Sequence, residues 1–221
     1  MPQYDVIISG GGMVGASLAC ALSGKGLRIA QVEAVELQTR AAPGYDDRAI
    51  ALAYGTRRIF EGLQLWDSLA AEATPIKHIH VSDRGRFGMV HMDRAEEGLP
   101  ALGYVVPARV IGDVLSAAVS QIGELDSYCP ATVTSVSQTN AAINVDVACE
   151  GGTTSLSGAL LVAADGADSP LREQFAIEHV ESDYRQSAIV TNITPQLAHN
   201  NIAYERFTDS GPMALLPMTG Q

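Results

Sequence analysis

Apolar and polar positions along this chain follow two different periods, and each change of period marks the end of an element. Residues 4–9 and 28–33 have the apolar character of buried strands, and the segment after Gly12 has small apolar residues at helical spacing. Gly24 and Gly26 stand where the C-terminus of that helix is expected. The pattern therefore predicts a β-α-β unit over the first thirty-three residues.

The middle of the chain begins with a predicted helix and then turns to strands. Helical spacing predicts a helix over residues 56–71, with Trp66 anchored in the core. Residues 77–82 and 87–92 alternate as strands do, and the segment between them contains Gly85, which tolerates the positive φ of a tight turn. These features predict a β-hairpin in a second sheet, separate from that of the first unit.

Further strands and one helix are predicted in the rest of the chain. The helix spans residues 108–122, and the strands span residues 104–106, 131–137, 142–148, 154–156, 159–164, 187–193 and 214–216. The strand at 159–164 is apolar throughout, which is typical of a parallel strand buried on both faces. It ends in Asp165 and Gly166. Because ligands of open α/β sheets collect at the carboxyl ends of strands, we expect this pair beside the turn after the first strand.

That turn has the sequence Gly10-Gly11-Gly12-Met13-Val14-Gly15, the form G-x-G-x-x-G. In such a turn the first glycine permits a tight bend, the second lets a pyrophosphate approach the backbone, and the third lets the helix pack on the strand. The N-terminus of the helix, at Met13 and Val14, then faces the phosphates. Glu33 lies 23 residues beyond Gly10, where an acid can accept hydrogen bonds from an adenosine ribose. The motif predicts binding of the ADP part of a dinucleotide and leaves FAD and NAD both open.

Composition restricts the remaining possibilities. The 221 residues include 14 Lys and Arg against 25 Asp and Glu, and the net charge of −11 without a basic tract argues against nucleic acid as a partner. Three widely spaced cysteines form no CxxC pair, and the five histidines show no ligand spacing, so we expect no metal site. No apolar run of about 18 residues is present, which predicts a cytoplasmic protein and leaves peripheral membrane association open.

Three segments together resemble the FAD-dependent aromatic hydroxylases: the glycine motif, residues 47–52 and residues 164–169. Within that family, residues 44–52, 80–85, 205–208 and 211–217 resemble the ubiquinone-biosynthesis hydroxylases. The resemblance implies FAD as the cofactor, NAD(P)H as a transient reductant, molecular oxygen as the oxidant and a polyprenyl phenol as the substrate. It also leaves open a complex with other ubiquinone-biosynthesis proteins.

The family's cofactor contacts can be carried over position by position. They fall on Gly10, Gly12, Met13, Val14, Gly15, Glu33, Arg48, Arg109, Asp165 and Gly166. Arg109 matches less well than the others, because the Glu-Asn pair common before it is replaced by Pro107-Ala108. Similar enzymes also supply a later Gly-Asp motif, for which this chain has no candidate. The resemblance assigns no catalytic side chain.

Several of these residues have plainer alternative roles. Arg48 can instead pair with Asp46, and Asp165 can cap a helix that begins near Ser169. Three apolar residues near the end of the chain, Met213, Leu215 and Leu216, fit either a prenyl pocket or, more simply, a core strand.

The sequence thus predicts an α/β fold of the aromatic hydroxylase type. A Rossmann-like FAD-binding domain is assigned to residues 1–73 and 100–175, and an incomplete β-rich substrate domain to residues 74–99 and 176–221. Unpaired strand edges in the second domain predict dimerisation or aggregation through those edges. The predicted function is an FAD-dependent monooxygenase that hydroxylates a polyprenyl phenol. A flavin-dependent prenyl reductase, another flavin oxidoreductase and a noncatalytic interaction module remain alternatives.

Overall fold

A computed structural model of the protein describes residues 3–35 and 48–219. The strands in these ranges are β1 (Tyr4–Ser9), β2 (Ile29–Val32), β3 (Ala49–Ala53), β4 (Thr74–Ile76), β5 (His78–Asp83), β6 (Met89–Asp93), β7 (Gly103–Pro107), β8 (Leu125–Tyr128), β9 (Ala131–Gln138), β10 (Ile143–Cys149), β11 (Gly152–Ala163), β12 (Ile202–Phe207) and β13 (Met213–Leu215). The helices there are α1 (Met13–Leu22), α2 (Tyr54–Gly62), α3 (Trp66–Ala70), α4 (Ala108–Val119) and α5 (Pro170–Gln174). In the described ranges, no helix has both the length and the apolar character needed to cross a bilayer.

The chain divides into two compact units. The first unit comprises Met1–Ala42 and Leu115–Ser187, and the second comprises Pro43–Val114 and Ala188–Gln221. The assignment of residues 1–73 and 100–175 to an FAD-binding domain stays a prediction, because a unit defined by packing and a domain defined by its ligand need not share boundaries.

The first unit is built on a sheet whose described strands run in the order β8-β2-β1-β11-β10-β9. The strands from β8 to β11 are parallel, and β11, β10 and β9 form an antiparallel meander. Helix α1 connects β1 to β2, which are parallel neighbours with Val6 opposite Ile29. The predicted β-α-β unit is therefore present, with β1 at the strand boundaries expected from the sequence.

Hydrophobic clusters cover both faces of β1. Ile7 belongs to a cluster on one face that includes Val145 and Val147, and Ile8 belongs to a second cluster with Ala19 of α1. All five of these side chains are buried. This double burial explains the apolar run Val6-Ile7-Ile8 in the middle of β1.

The strand at residues 159–164 differs from its prediction. It joins the predicted strand 154–156 in one long strand, β11, which runs parallel to β1 and antiparallel to β10. The expectation of complete burial is wrong, because Leu160 is 52% exposed. Val162 packs against the cluster that contains Ala19, whereas Leu160, two residues earlier on the same face, lies outside that cluster. A pattern of apolar residues indicates the strand, but it does not show which of its side chains are covered.

The second unit contains two small sheets, with described strands in the orders β3-β7-β4 and β13-β12-β5-β6. The predicted hairpin is confirmed, since β5 and β6 are antiparallel and Gly85 has φ of +77°. The helix predicted over residues 56–71 is wrong in one respect, because it is broken into α2 and α3. Gln64, between them, has φ of +60°, which ends an α-helix.

Trp66 is buried, as predicted, and it packs beside the side chain of Arg57. The rings of Trp66 and Tyr104 meet edge to face with centroids 4.8 Å apart. The Arg57 guanidinium lies 5.2 Å from both centroids, donates from Nη1 to the Tyr104 hydroxyl at 2.7 Å and pairs through Nη2 with Glu61 at 2.7 Å. These contacts fix α2 and α3 on β7.

The strand predicted at residues 187–193 is also wrong. In the described part of the chain this segment pairs with no strand, and Ile189 is 92% exposed. Strand propensity alone does not form a strand when no neighbour receives its backbone hydrogen bonds.

A buried tyrosine at the start of β1 joins this strand to β8 in the first unit. Tyr4 is 3% exposed, its hydroxyl donates to Asp126 Oδ2 at 2.7 Å, and it lies 2.9 Å from the Tyr128 hydroxyl. Burial, followed by the hydrogen bonds with Tyr128 and Asp126, raises the pKa of Tyr4 well above its usual range.

Because the pKa of Tyr4 is raised in the folded state, its stabilising effect is complete below the unfolded pKa of about 10 and is lost as the pH rises above that value. We expect Tyr4→Phe to cost about 1 kcal/mol at neutral pH. Between about pH 10 and 11 the free energy of unfolding should fall more steeply for the unmodified protein than for Tyr4→Phe, by up to about 1.4 kcal/mol per pH unit. Urea denaturation at each pH measures this, with the exposed Tyr184→Phe as the control. Parallel pH profiles for the protein and Tyr4→Phe would contradict the assignment.

Candidate dinucleotide-binding site

The turn between β1 and α1 begins at a position that only glycine can occupy. Gly10 has φ of +106°, and its N–H donates to the Val32 carbonyl at 2.8 Å. A Cβ at residue 10 would lie 2.2 Å from the Ala164 carbonyl oxygen, well inside contact distance. Both the backbone conformation and the neighbouring strand therefore require glycine here.

The third glycine of the motif lets α1 pack against the turn, and the second glycine has open space around its Cα. A Cβ at Gly15 would lie 1.9 Å from the Gly10 carbonyl oxygen, so α1 and the turn are in direct backbone contact. A Cβ at Gly12 would meet no atom within 4 Å. Met13 and Val14, which follow, are 37% and 73% exposed. The first turn of α1 thus presents its unpaired N–H groups to an accessible surface, as binding of an anion at a helix N-terminus requires.

Glu33 makes two backbone contacts that the sequence did not reveal. Its Oε2 accepts a hydrogen bond from the Gly11 N–H at 2.5 Å, and its Oε1 accepts one from the Val35 N–H at 2.8 Å. The carboxylate therefore fixes the glycine turn to the end of β2. Each oxygen retains a further lone pair, so the same group can also accept from ribose hydroxyls.

The Asp165-Gly166 pair follows β11 at the edge of the sheet where β1 also ends. The Ala164 N–H donates to the Ser9 carbonyl at 2.7 Å, which places the two strand ends side by side, as the sequence predicted. Asp165 Oδ2 accepts from the Leu171 N–H at 3.3 Å, so this carboxylate also supports the start of α5. Ser169 is the N-cap of α5 and accepts from Arg172 N at 3.0 Å. The capping role weighed for Asp165 is therefore present alongside its position near the glycine turn.

The two arginines carried over from the family lie in the second unit. Arg48 precedes β3, and its carbonyl accepts from the Ala108 N–H at 2.9 Å. Arg109 lies in the first turn of α4 and lines a cleft of about 180 Å³ together with Glu72, Pro107 and other residues of that unit. Asp46, the alternative partner of Arg48, lies outside the described residues. Cofactor contacts by Arg48 and Arg109 stay predictions.

Most of the histidines contact neighbouring groups of the protein. His78 Nδ1 lies 3.1 Å from Asp93 Oδ2, the rings of His80 and His91 have centroids 4.5 Å apart, and His199 Nδ1 accepts from an adjacent backbone N–H at 2.9 Å. Within residues 3–35 and 48–219, no three His, Cys, Asp or Glu side chains are placed to hold a metal ion.

The apolar residues near the end of the chain are not core residues. Met213, Leu215 and Leu216 are 55%, 43% and 38% exposed. They lie at and just beyond β13, which is at the end of its sheet among the described strands. The simpler of the two interpretations made from the sequence is therefore wrong.

The distances at the glycines predict distinct effects on stability. Gly15→Ala should lower the free energy of unfolding by about 3 kcal/mol, because the added methyl group overlaps the Gly10 carbonyl. Gly12→Ala should cost no more than about 1 kcal/mol, the loss expected at an exposed N-cap. Urea denaturation without added ligand measures both values. If Gly15→Ala is as stable as the unmodified protein, the close packing of α1 on the turn is wrong.

Comparison with known proteins identifies the family. A family model described as "FAD binding domain" matches residues 3–221. The chain is 33% identical over 216 residues to "Ubiquinone hydroxylase UbiL" of Rhodospirillum rubrum. This alignment covers 98% of this chain and 49% of that protein. It is 31% identical over 220 residues to "Ubiquinone hydroxylase UbiM" of Neisseria meningitidis, covering 97% and 47%. It is 26% identical over 236 residues to the human "Ubiquinone biosynthesis monooxygenase COQ6, mitochondrial", covering 98% and 49%. The chain thus spans about half the length of these relatives.

Solved structures of a hydroxylase and a monooxygenase have the same fold. OxyS anhydrotetracycline hydroxylase from Streptomyces rimosus superposes with a TM-score of 0.68 at 25% identity, over 81% of this chain and 35% of that one. The p-nitrophenol 4-monooxygenase PnpA from Pseudomonas putida has a TM-score of 0.66 at 19% identity, over 77% and 43%. The predicted α/β fold of the aromatic hydroxylase type is confirmed. The family match also decides between the two dinucleotides that the glycine motif left open: this chain belongs to the FAD binding domain family.

Proposed function

We propose that the chain binds FAD at the turn between β1 and α1 and that it serves the hydroxylation of a polyprenyl phenol in ubiquinone biosynthesis. The observation that carries this proposal is the open surface over Gly12, bordered by the N-terminus of α1 and by Glu33. The relatives named as ubiquinone hydroxylases support the substrate class.

The residues present fit the ADP part of FAD. The pyrophosphate approaches the backbone at Gly12, where no side chain intervenes, and the N–H groups of the first turn of α1 donate to its oxygens. Glu33 accepts hydrogen bonds from the adenosine ribose through the lone pairs not used by Gly11 and Val35. The net charge of −11 makes this local donor surface important, because the rest of the protein repels an anionic ligand.

The remaining cofactor contacts are proposed from the family resemblance. Asp165 and Gly166 follow β11 beside the glycine turn and contact the cofactor there, while Asp165 keeps its hydrogen bond to Leu171. Arg48 acts on the flavin side and Arg109 near the pyrophosphate. A guanidinium at either position provides charge-assisted hydrogen bonds to phosphate or to a polarised flavin oxygen.

A bound flavin would supply the redox chemistry of the reaction, with NAD(P)H as the source of electrons and molecular oxygen as the source of the hydroxyl oxygen. The protein has to bind, orient and exclude water, and for these tasks it needs no nucleophile or paired carboxylates. The described residues supply a fixed turn, a fixed carboxylate and oriented backbone donors. The substrate proposed is a phenol of the 2-octaprenyl-6-methoxyphenol type, on the resemblance of the whole chain to hydroxylases of that compound.

Replacement of Gly12 tests cofactor binding. Gly12→Leu fills the open surface with a side chain and should raise the dissociation constant for FAD at least about 100-fold, because the pyrophosphate can no longer reach the backbone. FAD titration, monitored by the flavin absorbance at about 450 nm, measures binding. Gly151→Leu is the matched control, because a Cβ at Gly151 also meets no atom within 4 Å and that residue lies in the β10–β11 turn. Equal FAD affinity of both variants and the unmodified chain would exclude the proposed site.

Product analysis tests the reaction. The chain supplied with FAD, NADPH or NADH, a prenylphenol and ¹⁸O₂ should release a hydroxylated phenol that carries ¹⁸O, and the rate for Gly12→Leu should fall in proportion to its flavin content. Mass spectrometry of the product separates the alternatives. A product that gains hydrogen and no ¹⁸O would indicate a prenyl reductase and would overturn the hydroxylase proposal.

A further inference from the structure

The outer edge of β6 is an exposed apolar strand edge. Among the described strands, β6 pairs only with β5, and it ends the sheet β13-β12-β5-β6. Met89, Val90 and Met92 are 61%, 54% and 43% exposed, and Phe87 before the strand is fully exposed. The strand has no lysine and no proline, the residues that proteins commonly place on an edge to prevent pairing. Its backbone donors and acceptors are therefore available to another strand.

We propose that the outer edge of β6 pairs antiparallel with the same edge of a second copy of this chain. The register places His91 opposite His91 of the second copy, on a two-fold axis perpendicular to the sheet. Such an axis keeps each residue on its own face, so the two four-stranded sheets form one continuous sheet. Val90 then lies opposite Met92 of the second copy, and Met89 lies opposite Asp93.

This register gives a contiguous apolar cluster on one face. Within the sheet, Val90 and Met92 lie beside Val81 and Ile79 of β5. The two-fold axis brings Val90 and Met92 of both copies together, and each pair removes exposed apolar surface from water. The five-residue length of β6 exceeds the three residues paired in β13, so β6 offers more backbone hydrogen bonds than the opposite end of the sheet.

Charges beyond the ends of β6 are complementary in the same register. The loop before β6 contains Arg84 and Arg86. The turn after β6 contains Glu96 and Glu97, together with Arg94, whose guanidinium donates to the Pro100 carbonyl at 3.0 Å. Antiparallel pairing about His91 directs the loop that contains Arg84 and Arg86 of each copy toward the turn that contains Glu96 and Glu97 of the other. The Arg86 side chain is 81% exposed and keeps a 3.0 Å contact with Asp83, so it is accessible to a second carboxylate. The two-fold axis repeats this contact, which offsets part of the repulsion between two chains of net charge −11.

The size of the interface sets the expected affinity. Two strands of this length with their flanking loops bury on the order of 1,000 Å², at the lower limit of specific interfaces. We therefore expect a dissociation constant in the micromolar range. This inference does not depend on the proposed function, and its tests need neither FAD nor substrate.

Sedimentation equilibrium over about 1 to 100 μM tests the dimer, since this range brackets a micromolar dissociation constant. The average mass should rise from 23.2 kDa toward twice that value with concentration. Val90→Lys should raise the dissociation constant at least about tenfold, because it places a charge on the paired edge. Val180→Lys is the matched control, since Val180 is 95% exposed and lies outside the strands. A monomer at all concentrations, or equal dimerisation of Val90→Lys and the control, would overturn the proposal.

Two further measurements test the register. His91→Cys in a Cys129→Ser background should form an intermolecular disulfide under mild oxidation. Met89→Cys in that background should not, because the two copies of residue 89 are then about 14 Å apart along the pairing, beyond disulfide reach. Arg86→Glu and Glu96→Arg should each weaken the dimer about threefold or more, and the double variant should restore it. Cross-linking at residue 89 and not at 91, or no rescue by the charge exchange, would exclude this register.

Discussion

The close approach of three backbone segments, at Gly10, Gly15 and Ala164, is the constraint on which the first unit depends. The turn after β1 touches the first turns of α1 on one side and the end of β11 on the other, with no room for a Cβ at either glycine. This contact fixes the direction in which α1 leaves the sheet. Consequently the N-terminus of α1, the end of β2 at Glu33 and the Asp165-Gly166 pair all belong to one edge of one sheet.

The glycines of the motif therefore act in different ways. Gly10 and Gly15 are required by the fold whether or not a ligand binds, while Gly12 has no structural neighbour that excludes a side chain. A glycine that the fold does not require is informative, because it points to something outside the protein that must approach the backbone. The family assignment supports the proposal that the group approaching Gly12 is the dinucleotide FAD.

The first β-α-β unit was predictable because its signals are local. Apolar runs mark β1 and β2, and the glycine spacing marks the turn between strand and helix. The features that were missed depend on neighbours distant in sequence. Leu160 is exposed although its strand neighbour Val6 is buried, and residues 187–193 form no strand because no described strand lies beside them. The break at Gln64 needed a positive φ at a residue other than glycine, which the hydrophobic pattern does not report.

Glu33 has a consequence that reaches beyond its two hydrogen bonds. Because the N–H groups of Gly11 and Val35 hold both carboxylate oxygens in the folded protein, the orientation of this acid is set during folding, before a ligand arrives. In the proposed role as ribose acceptor, Glu33 would therefore lose little side-chain entropy on binding. The same fixed negative charge repels a phosphate at the ribose 2′ position. On the proposed role of Glu33, selectivity among adenine dinucleotides would be set by the folded backbone at the end of β2, before the ligand binds.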